Sequence, residues 1–267
     1  MLRTIDNFPL LFQFALTNGM AHYQVPAVVR GIIGSRTWVR GIFSRTGHKH
    51  IEVDKLILDH HLSPIEEERL QNLQKRLHVP FDETLLEHQT SLLALWRAAF
   101  PDVTLKGLVS EQWKDIGWQG TNPSTDFRHC GFVALENLLF LARTYPASFL
   151  KLLFKTDGKR AKWEYPFAVA GINVTFMLIQ MLDLYSERPR CLPGVHFVRI
   201  LGEHEDAFDD LYCIAFALMD AHWLAMEASY MEFNEVLRRT RIQLERELLI
   251  EDIQVIQDLP AYNILFI

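Results

Sequence analysis

The sequence predicts an all-α protein, and three observations carry that expectation. Apolar residues recur at intervals of three and four along most of the chain, a helix-start signature opens the first of these runs, and no strand-turn-strand pattern interrupts them.

The first helix opens at Ser63-Pro64-Ile65-Glu66, where Ser63 caps, Pro64 suits the first turn and Glu66 closes a capping box. Ile65, Leu70, Leu73 and Leu77 mark its apolar stripe. The second opens near Asp82 and places Leu85, Gln89, Leu92, Leu93, Trp96 and Phe100 on one face, ending before Pro101. Only Gln89 breaks that face. Further helices are expected over 132–143, 147–154 and 166–185, then as one long helix from Asp206 to about Glu247. Two segments read as connections: 155–164, with its Asp157-Gly158 turn, and 186–205, which holds Pro189, Pro193, Gly194 and Gly202. Residues 167–182 are apolar almost all round. Asn173, Gln180 and Asp183 would be costly in lipid, so the stretch reads as a central core helix rather than a membrane span.

At 267 residues, with 49% hydrophobic and 22% charged, the chain suits one main folded domain with an appendage. We divide it into an N-terminal arm, 1–50, and a helical domain, 51–267. Charge separates the two. Residues 7–51 hold Arg30, Arg36, Arg40, Arg45 and Lys49 and no acid, so the net −6 of the chain leaves −11 on residues 52–267. The arm also carries Ile32, Ile33, Trp38, Ile42 and Phe43, a mixture that suits contact with anionic lipid or an acidic protein surface. A basic helix packed on the acidic body would have the same composition. Nucleic acid is not an expected partner, because no recognised motif is present and the body would repel phosphates. Cys130, Cys191 and Cys213 form no CxxC pair, and the early apolar run at Phe8 to Leu16 has a poor charge pattern for a secretory signal. A cytoplasmic setting is expected, with peripheral contact to organelle membranes through the arm.

Few patterns carry chemistry. Asp59-His60-His61 superficially matches the DHH signature of metal phosphoesterases, but the companion acidic motifs and an α/β pattern are missing, so an ordinary polar turn is expected. Glu203, His204, Glu205, Asp206, Asp209 and Asp210 read as a helix start whose acids complement the dipole, not as a metal site. There is no GxxxxGK[ST] loop, no GxGxxG turn, no HExxH helix and no GxSxG elbow. The chain is therefore not itself a P-loop GTPase, and no metal or cofactor of its own is expected.

What remains is the segment from Trp113 to Gly131. Gly117 and Gly120 loosen its backbone, Asn122-Pro123 starts a short helical turn, and Gly131 can end it. The turn presents Asp126 and Arg128. A guanidinium held this way suits phosphate or carboxylate recognition through its planar fork, whereas a local Asp126–Arg128 pair would make both residues structural.

This segment, Trp113-x-x-Ile116-Gly117-Trp118-Gln119-Gly120-x-x-Pro123-x-Thr125-Asp126-Phe127-Arg128-x-x-Gly131, closely resembles the ELMO-domain signature WxxxGFQGxxPxTDFRGxG. Leu135, Asn137, Leu138 and Phe140 resemble the leucine-rich helix that follows it, giving a core motif over 113–140, and residues 168–175 resemble the family's central helix. Short members of the family act as GTPase-activating proteins for Arf and Arf-like GTPases. The resemblance implies an all-helical domain in which Arg128 stimulates hydrolysis, while Trp113, Gly117, Trp118, Gln119, Gly120, Pro123, Asp126, Phe127 and Gly131 bind the partner or support the motif. GTP and magnesium would belong to the partner GTPase, and no independent catalysis is expected. The alternative is a non-catalytic scaffold, as in the long ELMO proteins that work with exchange factors acting on Rac. Two departures stand out. His129 replaces the usual Gly beside the arginine, which implies lost backbone freedom there, and Trp118 replaces the usual Phe as a bulkier plug.

Overall fold

The computed structural model describes residues 61–160 and 164–266. The N-terminal arm, Asp59 and His60 lie outside them. Among the described residues the regular elements are α-helices and short 3-10 turns, with no strand. In chain order the helices are α1 (Pro64–Leu77), α2 (Leu86–Ala99), α3 (Val133–Thr144), α4 (Pro146–Phe154), α5 (Phe167–Met181), α6 (Leu192–Glu203), α7 (Ala207–Ala225) and α8 (Phe233–Leu248).

Helix α1 starts as its sequence dictates. Ser63 Oγ accepts from the Glu66 amide while Glu66 Oε2 accepts from the Ser63 amide at 2.6 Å. Leu70, Leu73 and Leu77 are buried, but Ile65 is 47% exposed and does not belong to the stripe. In α2 the start lies later than expected, because the Asp82 carboxylate turns the chain by accepting from the Thr84 amide and hydroxyl. The helix then buries His88, Leu92, Leu95, Trp96 and Ala99, leaving Leu85 outside the core. The apolar face is rotated from the one its leucines suggested.

Helices α5 and α7 form the centre, with α3 packed on both. Almost every residue of α7 is buried, including Phe208, Tyr212, Ile214, Phe216 and Trp223. Helix α5 is buried along most of its surface and has 15 residues; no described helix is long and apolar enough to cross a membrane. Two polar clusters inside this core are bonded across helices and loops. Asn137 Nδ2 donates to Thr175 Oγ1 at 2.9 Å, and Asp220 receives both guanidinium nitrogens of Arg160, at 2.7 and 2.9 Å, and the Tyr165 hydroxyl at 2.7 Å.

Two expectations are corrected here. Residues 192–203 are a helix rather than part of a connection. Pro193 falls in the first turn, where its missing N–H costs nothing, and Val195, Phe197, Val198, Ile200 and Leu201 supply a buried face. The long helix expected from 206 to 247 is two helices. α7 ends at Ala225 with Met226 as its cap, Glu227 adopts φ +47°, and Ser229 begins a new capped turn at Tyr230–Glu232 that leads into α8.

The acidic patch is also divided. Asp209 is buried and paired with Arg76 through two bonds of 2.8 and 2.9 Å, and Asp210 accepts the Tyr145 hydroxyl at 2.9 Å with His204 Nε2 3.3 Å away. These acids tie α7 to α1 and α3–α4 as well as opening the helix.

Candidate functional site

The segment from Trp113 to Gly131 folds as two 3-10 turns, Glu111–Ile116 and Pro123–His129, joined by a short loop. Aromatic packing fixes them. Trp113 is fully buried, donates its indole N–H to the Leu108 carbonyl at 3.0 Å and meets Trp96 and Trp118 edge-on. Trp118 continues onto Phe127, whose ring stacks on Phe81 with centroids 4.5 Å apart; Phe81 stacks on His88, and His88 on Phe132. One aromatic chain thus runs from α2 through the motif to the start of α3. The bulkier Trp118 is accommodated at 3% exposure.

Gly117, which ends the first turn, and Gly131, which ends the motif, serve close approach rather than looseness. Gly117 has φ +89°, and a Cβ there would fall 2.4 Å from the Phe167 amide nitrogen, at the start of α5. Gly131 has φ +65°, and a Cβ would fall 2.3 Å from the Val79 carbonyl oxygen. Any side chain at either position would push the motif off the core. Gly120 has neither constraint, its nearest such neighbour being 4.0 Å away. His129 likewise has no positive φ, so the backbone freedom its family counterpart carries is not needed at that position.

The Arg128 turn is capped at its start. Asn122 Oδ1 accepts from the Ser124 amide at 3.0 Å, Pro123 is buried in the first turn, and Asn122 Nδ2 donates to Glu83 at 3.0 Å. Asp126 is half-buried and accepts the Gln119 amide at 3.1 Å, clamping the connecting loop to the turn. Burial raises its carboxyl above the usual carboxylate range, against the pull of the Gln119 amide, Thr125 and Arg128. Arg128 itself is exposed. Among the described residues no hydrogen bond or ion pair engages its guanidinium; Asp126 attracts it only through space. The local Asp126–Arg128 pair considered from sequence does not form.

A small hollow of about 60 Å³ lies beside Arg128, lined by Val169, Ala170 and Asn173 of α5 and by Asp126, Tyr230 and Phe233. Neither Tyr230 nor Phe233 was expected near the motif. The Ser229-x-x-Glu232 pattern was the available signal, since it marks a turn that brings the chain back. Cys130, also in the motif, is buried, with its thiol pushed up to about 12 by burial, and so is no nucleophile. His61 is exposed, while its companions in the DHH pattern lie outside the described residues.

Residues 71–237 match the model of the family described as ELMO/CED-12. ELMO domain-containing proteins A and B of Dictyostelium discoideum are 33% and 30% identical to the chain over 187 and 199 residues, or 63% and 72% of it. ELMO domain-containing protein 2 of Mus musculus is 33% identical over 169 residues, 62% of the chain. These matches span 19%, 66% and 54% of the three relatives, respectively.

Proposed function

The chain belongs to the ELMO/CED-12 family, and on that premise we propose that it is a GTPase-activating protein for an Arf-family or Arf-like GTPase. It docks on the GTP-bound partner and extends Arg128 to the γ-phosphate. The supporting observation is an exposed arginine on an anchored turn, with no bond to any described residue. A guanidinium of this kind offsets the charge that develops on the transferring phosphoryl group, and in related systems such an arginine supplies roughly 10³ to 10⁵ in rate.

The rest of the motif acts by holding that arginine. Trp113, Trp118 and Phe127 fix the turns in the core, Gly117 and Gly131 allow close docking, and Asp126 locks the loop through the Gln119 amide. GTP and magnesium reside on the partner, and this chain's contribution is the arginine and the docking face. Single-turnover hydrolysis by GTP-loaded Arf-family proteins, with wild type and Arg128→Ala, tests the reading. Stimulation by wild type that is lost in the variant supports it. Undiminished stimulation by a folded variant removes it.

A further inference from the structure

The hollow beside Arg128 is also lined by an elbow between α7 and α8. The elbow's shape is fixed from both sides. Glu227 leaves α7 in the left-handed region, and Glu232 accepts the Ser229 amide at 2.8 Å and also the Ser229 hydroxyl. Phe233 anchors the elbow at 7% exposure, and Tyr230 lines the hollow with Arg128. Between them, Met231 is 85% exposed, the highest value for any large apolar side chain among the described residues.

A methionine held in water at the tip of a capped turn adds nothing to the packing of the domain. Tyr230 and Arg128 line the hollow, and Met231 follows Tyr230 directly in the turn; methionine, tyrosine and arginine are residue types enriched where proteins bind proteins, and the thioether adapts to varied surfaces. We propose that Met231, with the hollow behind Tyr230, is a second contact of the docking face: it packs on an apolar patch of the GTP-bound GTPase while Arg128 reaches the phosphate. This inference rests on the GTPase-activating reading above. Continuity supports this occupant, because Arg128 lines the same hollow as Tyr230 and Phe233, the residues on either side of the Met231–Glu232 tip. Other occupants fit less well. Anionic lipid is repelled by a body carrying a net −11 over residues 52–267, and a symmetric second copy would bring another Arg128 to the face instead of an anion.

The test measures binding of Arf-family proteins loaded with a non-hydrolysable GTP analogue, together with single-turnover hydrolysis, for wild type, Met231→Asp, Met231→Lys and Arg128→Ala. Both Met231 variants should weaken binding about tenfold or more, the size of a hot-spot contact, with unchanged melting temperature. Loss with either charge identifies an apolar contact. Arg128→Ala should show the opposite pattern, binding retained and stimulation lost. If the Met231 variants bind and stimulate like wild type, the inference is overturned and the GTPase-activating reading stands. If wild type neither binds nor stimulates any member of the panel, that reading fails and the inference with it. A wild-type dimer that Met231→Asp dissociates, with GTPase affinity intact, would assign the elbow to self-association and overturn the inference as well.

Discussion

Trp113 is packed as a structural residue of the motif, with no side-chain surface open to a partner. Its indole is fully buried between Trp96 and Trp118 and bonded to the Leu108 carbonyl, so Trp113→Ala leaves a large cavity and an unpaired carbonyl. The expected cost is about 3–5 kcal/mol, read as a fall in denaturation midpoint. Unchanged stability with lost partner binding would instead make it a contact residue. The sequence allowed this packing role to be read, because large aromatics at such spacing bury area wherever a core exists. It did not allow the glycines to be told apart. Gly117 and Gly131 face backbone atoms from 166–167 and 79, far away in sequence, whereas Gly120 has only the Asn122 amide nitrogen at 4.0 Å. For the same reason His129 looked more restrictive than it is.

At the scale of elements, local signals succeeded where they acted alone. The Ser63–Glu66 capping box forms as written, and the Asn122-Pro123 start and the Asp157-Gly158 turn sit in place. Helix α6 was missed because Pro193, Gly194 and Gly202 punctuate it, yet its apolar residues find a surface made by α1, α7 and α8. Tertiary burial overrode the punctuation. The break after α7 was missed because glutamate gives no sign of a left-handed backbone, although Ser229 and Glu232 marked the restart. That strain is testable. Replacing Glu227 with glycine relieves the side-chain penalty of φ +47°, and the Glu227→Gly variant should gain up to about 1 kcal/mol in thermal or urea unfolding. A loss of stability would mean that the glutamate side chain contributes more than its backbone costs.

In the whole molecule, the site shares its foundation with the core, since the motif docks on the start of α5 and the elbow leaves from the end of α7. Conditions that loosen the core should therefore disturb the docking face. His222, buried near the end of α7, shows one such condition. Burial lowers its imidazole to about 4, with Gln243 opposing and Arg239 adding to the shift. The unfolded chain then binds that proton more tightly than the folded one. The His222 contribution is fully present above about pH 6.5 and is lost as pH falls towards 4. The expected loss is about 2–3 kcal/mol between pH 7.5 and 4.5, and His222→Gln should flatten that part of the stability profile. An equally steep profile in the variant would exclude the histidine as its source. The proposed function joins two molecules, with an arginine held out on an anchored turn to complete the partner's hydrolytic site. Lysine keeps the charge but lacks the planar fork that engages phosphate oxygens in pairs. The most direct measurement is single-turnover GTP hydrolysis by an Arf-family GTPase with wild type, Arg128→Lys, Arg128→Ala and Asp126→Ala, each melted in parallel. Both Arg128 variants should keep the wild-type melting temperature and lose most stimulation, while Asp126→Ala, which frees the Gln119 amide, should melt lower. A folded Arg128→Ala protein that stimulates hydrolysis as well as wild type would contradict the account.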